Sequence, residues 1–357
     1  MYQTKLSMRF ISSFFSFAIV AGVAVVLSSC GGSSTPAPTT KPGSWTSLAD
    51  FGGFGRSGSA YFVIGDKAYV GGGFVDGVTT GGVLNRVNDF WQFDAALNTW
   101  VQKTDFPGTA RSGAVGFSIG NKGYVGLGTD GVNRLKDFWE FDPTGNGGAG
   151  SWRRIKDFGG TGELGRTGAV AFSVSGRGFV GSGFNGNALN DIWEYVPGTD
   201  TWVQRTSIAR KRVNAVAFTL NNAVYVLGGS NNGLTVREVE QYDPVANTWT
   251  QKAALTQRDA NGNRIDQPLS REFAVAFAFG GFGYITGGSV NNQPAGDTWQ
   301  YDAATDTWKE HVLFSSKGRA RDAAAGFAIG NAGYVTTGRS GSLRFDDTWA
   351  FDPNGTN

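Results

Sequence analysis

The sequence predicts an all-β chain: a six-bladed β-propeller of four-stranded blades, closed by an outer strand from the N-terminus that completes blade six. Three observations predict it. One hairpin recurs six times, an aromatic strand follows each copy, and the last strand missing from the sixth copy is found at the other end of the chain. With 55 Gly, 11 Trp and 17% charged residues among 357, the composition suits turns and strands rather than helices. A single all-β domain accommodates most of that length.

Arg56, Arg111, Arg166, Arg212, Arg271 and Arg321 each stand six residues before a Phe (62, 117, 172, 218, 277 and 327). Each also stands 13 residues before Tyr69, Tyr124, Phe179, Tyr225, Tyr284 or Tyr334. Six copies with no change of length describe a tight two-stranded hairpin. Its turns, such as Gly65-Asp66 and Asn221-Asn222, use residue types that tolerate positive φ. A third strand follows, written Asp-Phe-Trp-Gln-Phe-Asp at 89–94 and Asp-Phe-Trp-Glu-Phe-Asp at 137–142, with relatives at 191, 238, 297 and 347. Alternating aromatics of this kind mark a half-buried strand. The fourth strand starts at Trp100, Trp152, Trp202, Trp249 and Trp308. Copy six has no such Trp, but Ser44-Trp45-Thr46 supplies it, and ring closure would remove the exposed sheet edges.

This unit of about fifty residues, with Gly-Gly after the second strand and Tyr-Asp…Thr-Trp after the third, resembles the kelch repeat over about 45–353. It departs from the pattern at Gly126-Leu127-Gly128 and Thr336-Thr337-Gly338, and at Glu240, which stands where the third strand has Trp.

Residues 1–30 read as a bacterial lipoprotein signal. Lys5 and Arg9 precede an apolar run, Phe10 to Leu27, and Leu27-Ser28-Ser29-Cys30 resembles a lipobox, in which Cys30 is lipidated and becomes the mature N-terminus. A transmembrane helix is the alternative for that run. Cys30 is the sole cysteine, so no intrachain disulfide forms. Residues 31–43 are a flexible tether, and 44–357 form the propeller. The expected location is the cell envelope, lipid-anchored in the outer membrane on its periplasmic side or at the cell surface. Of the 31 Lys and Arg, only Lys5 and Arg9 lie in the leader, which has no acid, so the remainder carries 29 of each sign. That balance gives no electrostatic footprint for nucleic acid, and leaves the lipid anchor as the only expected membrane contact.

In an antiparallel blade, the start of strand 1, the end of strand 2, the start of strand 3 and the end of strand 4 share one face. The long segments Gly71–Asn88 and Lys252–Ser270 fall there, and loops on a rigid scaffold commonly carry function. The six arginines, at the start of the innermost strand, are expected at the channel mouth on this face as candidate ligand-binding residues. In kelch domains that capture acidic peptides, arginines in an Arg-Ser-Gly-Ala setting grip carboxylates, and Arg111-Ser112-Gly113-Ala114 looks like that setting. The alternative is structural. Asp89, Asp137, Asp191, Glu238, Asp297 and Asp347 begin the third strands on the same face, and a ring of Arg–carboxylate pairs would fill the guanidinium forks.

Catalytic motifs fail. Gly53-Phe54-Gly55-Arg56-Ser57-Gly58 precedes a strand instead of joining strand to helix, and Gly116-Phe117-Ser118-Ile119-Gly120 runs into a hairpin turn. With one His, His311, and one leader Cys, neither a Ser-His-Asp site nor a His/Cys metal cluster is expected. No metal or cofactor is expected. The favoured function is a monomeric, non-catalytic binding or scaffolding lipoprotein that recognises a protein or glycan on its long-loop face. The alternative rests on resemblance to a kelch-type periplasmic sialic-acid mutarotase. There the arginine ring would hold the sugar carboxylate, and Glu272 or Asp322 would shuttle the proton.

Overall fold

The six- and thirteen-residue spacings are one cross-strand contact repeated around a ring. In the computed structural model, which describes residues 42–356 apart from 161, 255, 259–263, 269 and 315–317, the first strand of blade 1 is Ala60–Ile64 and the second Lys67–Gly71, pairing Phe62 with Tyr69. The two rings stack at 5.1 Å. Phe117–Tyr124, Phe172–Phe179, Phe218–Tyr225 and Phe327–Tyr334 repeat the stack at 5.0–5.5 Å. Blade 5 differs: Phe279 lies 4.7 Å from Tyr284 and leaves Phe277 at 6.0 Å. The Phe then reaches the next blade, whose second strand must be small at that point. A Cβ on Gly123 would lie 2.1 Å from Phe62, and one on Gly283 would lie 2.3 Å from Phe218. Burial of this ladder between blades is the main apolar contribution to the fold, at about 25 cal/mol for each Å² removed from water.

Each blade is an antiparallel sheet in the order first, second, third, fourth strand. The first strand of every blade contacts that of the next, and blade 6 contacts blade 1, so the ring is closed. The N-terminal strand Ser44–Ser47 supplies the outer strand of blade 6, in the register Trp45 opposite Phe351 and Thr46 opposite Ala350. Trp45 is buried between Phe314 at 4.6 Å and Phe351 at 4.9 Å. Just before it, the carbonyl of Pro42 accepts the Val312 amide at 2.9 Å, as the carbonyl of Ala149 accepts the Thr104 amide where blade 1 meets blade 2.

A second girdle joins the blades through their backbones. The amide of Gly73 donates to the carbonyl of Arg111, and Gly128, Gly183, Gly229 and Gly288 donate to Arg166, Arg212, Arg271 and Arg321. Gly338 closes the circle onto Arg56 at 2.7 Å. This explains which glycine of the pair the repeat keeps. The first position tolerates Leu127, Ser182 and Thr337, all at positive φ. The second cannot carry a side chain: at Gly128 a Cβ would meet Ser112 O at 2.7 Å and Ala114 N at 2.8 Å.

Beyond the second strand, short hairpins rise on one face. Phe74–Thr80 pairs with Val83–Arg86, and Arg339–Ser340 with Leu343–Arg344. In the segment between blades 4 and 5, Thr256–Arg258 pairs with Arg264–Pro268, and much of the rest of Lys252–Ser270 lies outside the described residues. The leader with Cys30, and all but the last two residues of the tether, lie outside them too. No helix among the described residues is long and apolar enough to cross a membrane.

Candidate functional site

The six arginines do not ring the channel mouth. All are between 0 and 2% exposed, and none borders the central cavity. Five of them are held in their own blade by a carboxylate two residues ahead of the third-strand Trp. Arg56 donates from Nη1 and Nη2 to Asp89 at 2.6 and 2.8 Å and to the carbonyl of Gly72 at 3.1 Å. Its guanidinium lies 4.7 Å from the ring of Phe51. Trp91 Nε1 donates to Asp89 at 2.8 Å, so the Trp of the third-strand motif holds the acid that holds the arginine. The same set recurs as Arg111–Asp137–Trp139, Arg166–Asp191–Trp193, Arg271–Asp297–Trp299 and Arg321–Asp347–Trp349. Burial alone would raise the carboxyls of Asp89, Asp137, Asp297 and Asp347. The arginine hydrogen bonds and charge, with the indole, outweigh it and hold them below the usual range.

Blade 4 reaches the same end differently. Glu240, in the Trp position, pairs with buried Arg212 through Nη2, and Glu238 turns out to Arg210 at 3.2 Å. The acid has moved two residues along the strand. Its longer side chain spans the gap that the indole fills elsewhere.

What opens on the long-loop face is a central well of about 530 Å³. Its rim is the residue two after each fork arginine: Gly58, Gly113, Gly168, Asn214, Phe273 and Ala323, all at φ between 51 and 65°. For Phe273 that conformation is strained, and it is held by backbone bonds to both neighbouring blades. Its amide donates to Asn214 O at 3.0 Å, and its carbonyl accepts from Ala323 at 2.9 Å. The walls are Ala, Val and Gly of the innermost strands. Five of the six blades place Gly116, Ala171, Ala217, Ala276 and Gly326 at one level, where blade 1 alone has a bulky residue, Tyr61. The next inward residues, Val63, Ser118, Ser173, Thr219, Ala278 and Ala328, do not border the cavity. Tyr61 is thus the one bulky side chain at that level of the well. Burial pushes the Tyr61 hydroxyl up to about 12, so it stays protonated.

Three arginines that the repeat spacing does not single out line this well: Arg86, Arg339 and Arg344, all from the hairpins after the second strand. Arg344 lies 4.4 Å from the ring of Phe74 and Arg86 lies 5.3 Å from it, so one aromatic ring carries two cations. Arg344 donates to Asp76 at 2.5 Å, and Arg339 Nε donates to Asp322 at 2.7 Å. Among the described residues Arg86 makes no ion pair, and the Nε atoms of Arg86 and Arg344 are buried with no acceptor. Desolvation lowers the affinity of the Arg86 guanidinium for its proton, against the charge of Asp130. The sequence signal for these residues is the break in repeat columns: Arg339 stands where other blades have Phe, Thr or Ser, and Tyr61 where they have Gly or Ala.

The two acids of the enzymatic alternative do not border the well. Glu272 accepts from the Asn214 amide at 3.1 Å, and Asp322 is occupied by Arg339. His311 is buried at the perimeter, its Nδ1 3.1 Å from the Pro42 carbonyl. Among the described residues no group of three or more His, Cys, Asp or Glu is placed to hold a metal.

Residues 205–357, which span blades 4 to 6, match the family model described as the KLHDC2/KLHL20/DRC7 Kelch-repeats domain. No curated protein matches the chain. Blades 1 to 3 repeat the matched unit strand for strand, down to the arginine fork, the indole that holds its acid and the girdle glycine. Blades 4 to 6 thus match kelch repeats, in a six-bladed β-propeller whose other blades repeat the same unit.

Proposed function

We propose that this propeller is a binding module of the cell envelope, anchored by a lipid on Cys30, that receives a protein or glycan ligand in the well of its long-loop face. The carrying observation is Arg86. A half-buried cation without a carboxylate partner lowers stability unless it serves a ligand, and this one borders a concave, preformed cavity. Among the described residues that line the well there is no Asp, Glu, His or Cys to act as a general acid or base. Entry of the chain fits the anchor: Pro42 lies at the perimeter beside the short turns at Gly280, Asn331 and Pro353, away from the well.

The test is binding to glycan and acidic-peptide arrays by the parent and by Arg86→Glu. Loss of the parent's strongest signals on charge reversal, with the melting temperature kept, supports the reading; unchanged signals refute it. For the anchor, cells fed a labelled fatty acid should label the parent and not Cys30→Ala, and a labelled Cys30→Ala protein would contradict lipidation at that residue.

A further inference from the structure

We propose that the ligand is the acidic end of a saccharide, a uronate-type sugar whose carboxylate meets Arg86 and whose ring hydroxyls meet the rim and walls of the well. The inference rests on reading the well as the binding site and names the chemistry it selects. One sector, from blades 6 and 1, is cationic and aromatic: Arg86 and Arg344 flank Phe74, and Arg339 lies 5.6 Å from the ring of Phe273. The sector facing it is made of short hydrogen-bonding side chains. Ser112 and Thr167 border the cavity, and Asn214 keeps its Oδ1 beside Gly168 while its amide is spent on Glu272.

Among the described residues, the hydroxyls of Ser57, Ser112, Thr167 and Tyr61 make no hydrogen bond to protein atoms, although all four residues line the one cavity. A hydroxyl both donates and accepts. A cluster of unpaired hydroxyls is matched by a ligand that presents several groups able to donate and accept at once, as the hydroxyls of a sugar do. The cation asks for a carboxylate, and bidentate Arg–carboxylate geometry fixes its orientation. Small walls of Ala and Gly leave room for rings rather than for one side chain.

Calorimetric titration with three probes tests this: digalacturonate, its dimethyl ester, and triglutamate. The acid sugar should bind. The ester, with the same hydroxyls and no charge, should bind at least tenfold more weakly, and triglutamate should bind more weakly than the acid sugar. Arg86→Gln should cost about tenfold in digalacturonate affinity, and Tyr61→Phe several-fold, both with parental melting temperatures. If triglutamate binds as tightly as digalacturonate or more tightly, with the same dependence on Arg86, the saccharide assignment is wrong while the well remains the site. Equal binding of acid and ester overturns the carboxylate contact. No binding of either anion, or binding indifferent to Arg86→Gln, overturns both readings.

Discussion

Glycine at 128 and glycine at 65 have similar backbone signs and different surroundings. Gly128 has φ 87° and backbone atoms within 2.7–3.0 Å of any added Cβ, whereas Gly65 has φ 59° and open space. Gly65→Ala should cost about 1 kcal/mol, the price of a left-handed residue alone. Gly128→Ala should cost clearly more, since it also pushes blade 2 off the carbonyl of Arg166; equal urea midpoints for the two variants would contradict the girdle. The fork acids give a pH prediction. Asp89, Asp137, Asp297 and Asp347 titrate lower in the folded chain than unfolded. Their stabilisation is therefore complete above the unfolded value of about 4 and is lost as pH falls through the folded values. Circular dichroism should show a flat baseline from pH 7 to about 5 and a steep cooperative loss below 4. A gradual loss beginning near pH 6 would mean the forks are not ionised pairs. The six arginines and five of their acids were legible in the sequence as two columns, but the column put Glu238 where blade 4 uses Glu240. Which way the guanidinium points was not, because spacing places a Cα on a face and says nothing of whether the fork turns to the channel or back along its own strand.

Among the elements, the third strand of blade 4, Val239–Asp243, is the informative exception. Its sequence reads as a weakened copy, with Glu240 for Trp, yet the acid at 240 takes over the pairing that Asp performs elsewhere. Glu240→Gln should leave Arg212 buried beside a neutral partner and cost about 3–5 kcal/mol. Glu238→Gln, which breaks an exposed pair with Arg210, should change stability by less than about 1 kcal/mol. Thermal melts giving the reverse order would show that Glu238 holds Arg212 after all. The four-stranded blades were legible because strand pairs with fixed spacing repeat without insertions. The small hairpins that carry Arg86, Arg339 and Arg344 were not, since they differ from blade to blade in length and composition, and a repeat reading discards what does not repeat.

At the scale of the whole molecule, two networks close the ring, and a third set of charges, Arg86, Arg339 and Arg344, lines the well. Closure joins Ser44–Ser47 to the strand Thr348–Asp352 and the Gly338 amide to Arg56. Trp45→Ala removes a buried indole packed on Phe314 and Phe351 and should cost about 3–5 kcal/mol. A variant melting like the parent would mean that blade 6 holds without its outer strand. The division of arginines between scaffold and well is the central claim, and the melting temperatures of Arg111→Ala and Arg86→Ala, measured side by side, test it most directly. Removing Arg111 strands Asp137 and should lower the melting temperature by about 6 °C or more. Removal of Arg86, which has no carboxylate partner among the described residues, should leave it unchanged or slightly raised. Equal losses for the two variants, or a parental melting temperature for Arg111→Ala, would contradict the account.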